Sequence, residues 1–181
     1  MGPKGLLFDL LPPTVVSSQG GESKRSLIST AFYVFERVGC LAPFTVRAKM
    51  FDETLWQRGT LRWKQELLDL SKICLPRALV PVALGQVTRL EIHAFCDASE
   101  KAYAAVAYMR IETTNHHTMV NFVTSKTRVP PIQRLTLPWL ELIGALGAAR
   151  LVRCVQRMLG LKVHAITCWC DSALTLSWIQ L

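Results

Sequence analysis

Three acidic residues stand in strongly apolar surroundings, where an unpaired carboxylate is costly to bury. Asp97 follows the apolar segment 90–96, Glu141 lies within Leu-Pro-Trp-Leu-Glu-Leu-Ile, and Asp171 follows Thr-Cys-Trp-Cys. Three such carboxylates predict a divalent metal site, because Mg²⁺ prefers oxygen ligands. The chemistry that uses such a site is phosphodiester cleavage with two ions about 4 Å apart, which activate water and stabilise the leaving oxygen.

The elements that must position these acids are strands and one long helix. Asp97 and Asp171 each end a predicted strand, so the two acids can converge if those strands are neighbours. A helix is predicted over 138–159, with Pro138 in its first turn and Gly160 after its end, and Ser172 opens a last helix. Alternation and β-propensity predict four strands, the first three joined as a meander: 90–96, 103–111, 119–124 and 163–170.

The long helix places Glu141 among small and β-branched side chains. At about 100° per residue, Glu141 shares a face with Ala145, Ala148, Val152 and Val155. That face is expected to pack against the sheet, so Glu141 is not a solvated surface charge. The alternative to a metal ligand is an ion pair between Glu141 and a basic residue.

Basic residues occur on the same helix and in the segment before it. Helical spacing puts Arg150, Arg153 and Arg157 opposite Glu141, where a solvated face is the expected role rather than a substrate cradle. The segment 125–138 is predicted to be a loop, either solvated or binding phosphates. Its candidate phosphate contacts are Lys126, Arg128 and Arg134.

The chain divides by composition into an irregular N-terminal segment 1–25, a helical segment 26–88 and an α/β domain 89–181. Helices are predicted over 27–38, 42–56 and 63–71, followed by a connector over 78–88.

The formal net charge is +8, with 21 Lys and Arg against 13 Asp and Glu. This balance favours a polyanion such as nucleic acid, or an anionic membrane surface. The sequence contains neither a signal peptide nor an apolar run of about 20 residues. We therefore expect a soluble, intracellular protein, cytoplasmic or nuclear, that is not secreted and has no membrane partner.

The six cysteines contain no Cys-x-x-Cys pair, and reduced, mostly buried thiols are expected. Cys168 and Cys170 have the spacing of one strand face and could join His164 in a zinc site, but that spacing fits no common zinc motif.

Several sequence blocks resemble the Pol polyprotein of Bel/Pao-type LTR retrotransposons, over about residues 24–181. The blocks are Lys24-Arg-Ser-Leu-Ile-Ser, Val38-Gly-Cys-Leu-Ala-Pro-Phe-Thr-Val-Arg-Ala-Lys49, Leu55-Trp56, Leu75-Pro-Arg77, His93-Ala-Phe-Cys-Asp-Ala-Ser-Glu-Lys-Ala-Tyr103, Thr136-Leu-Pro-Trp-Leu-Glu-Leu142 and Cys170-Asp-Ser172.

The resemblance implies a connection or thumb-like segment followed by a ribonuclease H-like mixed α/β sheet. It implies that Asp97, Glu141 and Asp171 match the first three metal-binding acids. The implied reaction is hydrolysis of RNA in an RNA–DNA hybrid with two Mg²⁺ ions, or with Mn²⁺. The implied partners are the hybrid, or another nucleic acid, and the remainder of the Pol polyprotein.

Departures from the family pattern qualify this expectation. The family has Arg where this chain has Trp139, and Phe-Asp-Pro-Leu-Gly where it has Phe35-Glu-Arg-Val-Gly39. The 181 residues supply neither the family's fourth acid, nor its last strand and helix, nor the Tyr-x-Asp-Asp turn of a reverse transcriptase. We therefore expect a truncated domain with weak or lost nuclease activity, or a non-catalytic relic or domesticated fragment that binds nucleic acid.

The same region is also known as a Pao retrotransposon peptidase. An aspartic protease of retroviral type needs Asp-Thr/Ser-Gly, and the nearest strings, Asp97-Ala-Ser99 and Asp171-Ser-Ala173, lack the glycine. The residues therefore do not support aspartic peptidase activity.

Overall fold

A computed structural model describes residues 5–7, 39, 41–50, 66, 74–76, 78–131 and 135–180. These residues belong to two compact units, the first formed by 1–37 and 41–77 and the second by 38–40 and 78–181. The division 1–25, 26–88 and 89–181 stays a prediction.

In the first unit, strand β1 (Gly5–Leu7) pairs antiparallel with β2 (Cys74–Pro76). Helix α1 (Ala42–Met50) is the described part of the helix predicted over 42–56. Arg47 on α1 forms an ion pair with Glu66. The helix predicted over 27–38 lies outside the described residues, and of 63–71 only Glu66, which is helical, is described.

The second unit is a four-stranded sheet in the order β5-β4-β3-β6 with helices α2 and α3. A 3₁₀ turn, Leu84–Gln86, leads into the first of these strands. The elements are β3 (Val87–Ala98), β4 (Tyr103–Thr113), β5 (Thr118–Arg128), α2 (Leu137–Leu159), β6 (Ala165–Cys170) and α3 (Ala173–Gln180).

Strands β3, β4 and β5 form the predicted antiparallel meander, and β6 joins the free side of β3 in parallel. A parallel pair needs a crossover connection, which α2 provides while covering one face of the sheet. The sheet is therefore mixed, as predicted, with β5 and β6 as its outer strands among the described residues.

The core lies between α2 and the two central strands. Alternate residues of β4 are buried, and Ile92 of β3 and Met109 of β4 are fully inaccessible. From the helix, Ala148, Val152 and Val155 complete the same cluster. The small side chain of Ala148 lets α2 approach the sheet closely. The helix face that carries Ala148, Val152 and Val155 therefore faces inward.

The opposite face of the sheet carries aromatic side chains in a row across all four strands. The ring of Trp169 on β6 stacks on Phe95 at a centroid distance of 6.1 Å. Phe95 meets Tyr108 edge-on, and Tyr108 meets Phe122 of β5 in the same way. Such cross-strand contacts add to sheet stability.

Strand β5 is longer than predicted. The expectation of a loop beginning at Ser125 is wrong, because β4 continues to offer partners: Ala105 pairs with Lys126 and Tyr103 with Arg128. Both basic residues therefore lie on a strand, where their positions are set by the sheet.

Within the described parts of the chain, no helix is long and apolar enough to cross a membrane.

Gly39, the residue after the helix predicted over 27–38, has a φ of 86° and lies against the main chain of Ser125. A Cβ at this position would overlap the Ser125 backbone, and the Ser125 hydroxyl donates a hydrogen bond to the Gly39 carbonyl. Glycine is therefore required both by the left-handed backbone and by the close approach.

Glu91 on β3 is a buried carboxylate, 7% exposed, surrounded by basic side chains. Its oxygens accept hydrogen bonds from Arg110 Nη1 at 2.8 Å and from Arg89 Nε at 2.6 Å, and His93 Nε2 lies 3.3 Å away. The hydrogen bond from Arg110 is the main cause that lowers the pKa of Glu91 from 4.5 to about 2, against the opposing effect of burial. Paired in this way, Glu91 is a structural ion-pair centre that the sequence did not reveal.

Because the pKa of Glu91 is lower in the folded chain, its contribution to stability is present above about pH 4.5 and is lost as the pH falls towards 2. We expect Glu91→Gln to lower the free energy of unfolding at pH 7 by on the order of 2 kcal/mol. The difference from the wild type should shrink at pH 3, as measured by urea unfolding at both pH values. Glu112→Gln, which removes a more exposed partner of Arg110, is the control. An equal loss at both pH values for Glu91→Gln would contradict this account.

Among the described residues, Cys96, Cys154, Cys168 and Cys170 are free thiols. Cys96 is buried, but Cys154 and Cys168 are exposed, so the expectation of mostly buried thiols is wrong for these two. Cys154 lies on α2 outside its buried stripe, and Cys168 lies on β6, an outer strand of the sheet among the described residues. Cys40 lies outside the described residues.

Candidate metal centre and nucleic-acid interface

Asp97 and Asp171 are brought together by the parallel pairing of β3 and β6. The last registered pair is Cys96 with Cys170, and the next residue along the chain is an acid in both cases: Asp97 on β3 and Asp171 directly after β6. Adjacent strands lie about 4.8 Å apart, which places both acids at the carboxyl ends of neighbouring strands. Burial, followed by the nearby Cys170, raises the pKa of Cys96 to about 12, and the charge of Asp171 contributes to this increase.

Glu141 reaches the same end of the sheet through α2. The helix follows Thr136, whose backbone is extended, and has Pro in its first turn. One turn beyond Glu141, a Cβ on Gly144 would lie 3.6 Å from the Asp97 carbonyl oxygen. The start of α2 therefore packs directly on the main chain that carries Asp97.

The buried stripe of α2 runs slightly to one side of Glu141. Its inward residues are Leu140, Gly144, Ala148, Val152 and Val155. Glu141 lies at the margin of this stripe and is half-buried. The alternative of an ion pair is not observed among the described residues.

Trp139 connects α2, which carries Glu141, with α3, which follows Asp171. Its ring lies 5.9 Å from that of Trp178 on α3, with the ring planes at 49°. Helix α3 begins at Ala173, two residues after Asp171. The Ser172 hydroxyl accepts the Thr175 N–H at 3.3 Å, as expected of a helix-capping serine. Trp139, a departure from the family pattern, therefore tethers α3 to the beginning of α2.

The donor set suits a hard divalent cation, since all three acids offer oxygen ligands. The side chains are not drawn into a closed cluster, however. Among the described residues, no group of three or more His, Cys, Asp or Glu side chains is close enough to hold a metal ion. The Asp97 carboxylate instead accepts the N–H of Ala98 at 2.7 Å.

The zinc alternative gains no support from the geometry of His164. Its Nδ1 accepts the N–H of Leu90 at 3.0 Å, so this ring nitrogen serves the sheet. Cys168 and Cys170 do share a strand face, as their spacing predicts.

Two of the predicted phosphate contacts, Lys126 and Arg128, line a cavity of about 200 Å³ between α2 and the β4–β5 pair. Arg150 of α2 lines the same cavity. Arg134, the third predicted contact, lies outside the described residues.

Arg150 is a candidate functional residue that sequence reasoning did not select. The helical wheel placed it opposite Glu141, where it is exposed like Arg153 and Arg157. The wheel does not show that β5 runs beneath this flank of α2. The extension of β5 to Arg128 was the missing information.

A mixed sheet of three antiparallel strands and one parallel strand, crossed by a helix that carries an acid at its start, defines a ribonuclease H-like domain. Residues 23–172 match the family model described as Pao retrotransposon-like RNaseH-like domain. The chain therefore belongs to this family and is a retrotransposon Pol ribonuclease H-like region.

Two solved structures are similar to this chain at low sequence identity. A foamy viral protease-reverse transcriptase in complex with dsDNA matches with 14% identity and a TM-score of 0.47. The match covers 91% of this chain and 34% of the viral chain. A foamy viral protease-reverse transcriptase dRH in complex with ds DNA matches with 10% identity and a TM-score of 0.43, covering 93% and 32%. The chain thus spans about a third of either protein. No curated protein matches it.

Proposed function

We propose that this chain hydrolyses RNA in RNA–DNA hybrids with the help of divalent metal ions, and that Asp97, Glu141 and Asp171 hold the metal. The observation that supports this most is the register of β3 with β6, which sets Asp97 and Asp171 at adjacent strand ends. The contact of Gly144 with the Asp97 main chain brings the start of α2 to the same place.

In this proposal the three carboxylates bind Mg²⁺, or Mn²⁺ in its place. The bound ions supply an activated water and a charge that stabilises the leaving oxygen. The carboxylates of this chain would hold these ions beside the scissile phosphate. Asp97 lies on β3, Glu141 lies on α2, and Asp171 directly follows β6. We also propose an intracellular site of action, in the cytoplasm or the nucleus, and the remainder of a Pol polyprotein as partner.

We expect the hydrolysis to be weak. The Asp97 carboxylate is engaged by the Ala98 N–H, and the described acids do not form a closed cluster. At least one of the three side chains must therefore move before all three can bind an ion, which lowers the affinity for metal.

A second candidate is nucleic-acid binding without hydrolysis. The observation in its favour is that Lys126, Arg128 and Arg150 meet at one cavity and form no ion pair with a described residue. Cations that no carboxylate neutralises are available to phosphates. Each phosphate contact makes the logarithm of the binding constant fall with the logarithm of the salt concentration, at a slope of about 0.9 per phosphate.

One experiment separates the two candidates. The full chain is incubated in excess with a labelled RNA–DNA hybrid, with Mg²⁺, Mn²⁺ or EDTA, and cleavage and binding are measured together over a range of salt. Slow cleavage that requires metal supports the first candidate. Its rate constant is expected to lie well below about 1 s⁻¹, the lower end of typical kcat values. Binding that persists in EDTA, without cleavage in either metal, supports the second. Cleavage in EDTA would contradict the first candidate, and binding that does not weaken with salt would contradict the second.

A further inference from the structure

The cavity between α2 and the β4–β5 pair has two chemically different parts. Its rim carries the cations Lys126, Arg128 and Arg150, which are all exposed to solvent. Its wall is apolar and includes Ala105 of β4 and Ile143 and Leu151 of α2. A ligand that suits both parts has an anionic group joined to a flat or apolar body.

The register of the sheet explains why the cations stand beside this wall. Arg128 pairs with Tyr103 and Lys126 with Ala105, and directly opposed residues of an antiparallel pair point to the same face. Ala105 is buried beneath α2, so this is the helix-covered face. Tyr103 therefore stands with both cations at one end of the cavity.

Gly147 of α2 keeps the cavity open. A Cβ at this position would meet no atom within 4 Å, and the residue has no left-handed backbone. Glycine within a helix is unfavourable compared with alanine, and here neither conformation nor close packing requires it. What its missing side chain provides is the space between the cations and the apolar wall.

The volume limits the size of the ligand. About 200 Å³ exceeds the roughly 150 Å³ of a cavity that holds one benzene ring. The space therefore admits one nucleobase but not a stacked pair of bases. The three cations at the rim suit a phosphate, which offers several acceptor oxygens.

We propose that this cavity binds one unpaired nucleotide unit, with its phosphate on Lys126, Arg128 and Arg150 and its base on the apolar wall beside Tyr103. The proposal rests on the proposed nucleic-acid binding, which uses the same three cations, and it names a single nucleotide as the ligand of that cavity. Aromatic rings such as that of Tyr103 accept any base by stacking, so little base preference is expected. A free nucleotide and the terminal nucleotide of a strand share this chemistry.

The test is isothermal titration calorimetry of the full chain at low salt, with AMP, adenosine and inorganic phosphate as separate ligands. AMP is expected to bind at least about tenfold more tightly than either fragment, because only AMP occupies both the rim and the wall. Equal affinities of AMP and inorganic phosphate would overturn the proposal, as would equal affinities of AMP and adenosine. A 5′-phosphorylated single-stranded tetranucleotide distinguishes the two sources: competition with AMP indicates a strand end, and no competition indicates a free nucleotide.

Variants of α2 locate the site. Gly147→Leu fills the cavity and should abolish AMP binding, while Ala149→Leu, exposed on the same helix and outside the cavity, should leave it unchanged. Both chains should fold with an unchanged or higher Tm, since leucine favours helix over glycine and a single exposed Ala→Leu change is nearly neutral. Arg150→Gln should weaken AMP binding at least about fivefold without filling the cavity.

Hybrid binding is measured on the same variants. Gly147→Leu that still binds AMP like the wild type overturns the cavity proposal. Absence of AMP binding with hybrid binding retained also overturns the cavity proposal alone, whereas absence of binding to both nucleic acid and AMP overturns the proposed function with it.

Discussion

Asp97→Asn is expected to lower the metal-dependent rate of hybrid cleavage by at least about 100-fold. Asparagine preserves the size of the side chain but removes the charge that binds the cation. Metal ions contribute several kcal/mol of charge stabilisation in such reactions, and each 1.36 kcal/mol corresponds to a factor of ten in rate. The measurement is a single-turnover assay with excess protein, because the wild-type rate is expected to be low.

Glu100→Gln is the matched control for Asp97→Asn. Glu100 lies in the turn after β3 and is exposed. Its substitution by Gln removes the same charge as Asp97→Asn, only three residues away. It should retain the wild-type rate, while Asp171→Asn should lose activity as Asp97→Asn does. Equal activity of Asp97→Asn and wild type would exclude Asp97 from the metal centre. A similar loss in Glu100→Gln would show that net charge, and not the position of the acid, controls the reaction.

Binding of the hybrid in EDTA supplies the second measurement for Asp97→Asn. Without metal, a carboxylate near phosphates repels the nucleic acid, so binding should be unchanged or slightly tighter in the variant. A variant that loses cleavage and binding together has lost its fold or its nucleic-acid surface, and circular dichroism distinguishes these cases.

Ile92→Ala is expected to lower the free energy of unfolding by about 2–5 kcal/mol. Ile92 is 0% exposed and belongs to the cluster between the central strands and α2. Its truncation removes buried methyl groups and leaves a cavity that the surrounding strands cannot easily close. The measurement is urea unfolding of the full chain at pH 7, monitored by circular dichroism.

Ile166→Ala is the control for the effect of burial. Ile166 is the same residue type, and it is the registered partner of Ile92 on β6. It is 42% exposed, so its truncation should cost about 1 kcal/mol or less. Equal losses for the two variants would mean that the interior of the sheet is not where the structure places it.

Local periodicity was sufficient to predict the main elements of the second unit. The alternation around Leu90 and Tyr103 indicates strands because successive side chains point to opposite faces. The helix after Pro138 ends at Leu159, where Gly160 adopts a left-handed backbone. These signals depend on neighbouring residues and need no information about distant contacts.

Other features depend on partners that are distant in sequence. The end of β5 is determined by how far β4 continues beside it, so the place of Arg128 on a strand could not be predicted from its own segment. The contact between Trp139 and Trp178 depends on how α3 turns back towards α2. Arg150 becomes part of a basic cavity only because β5 lies beneath its flank of the helix.

By itself, the sequence determined that Asp97 and Asp171 end strands and that Glu141 lies near the inward side of a helix, because these are consequences of backbone periodicity. It also predicted the ribonuclease H-like class through its motifs. Only the tertiary structure decided that β6 pairs in parallel with β3 and so sets the two aspartates side by side. Only the tertiary structure showed that Gly147 leaves an open cavity beside the cations, since an empty space is defined by elements that meet from distant parts of the chain.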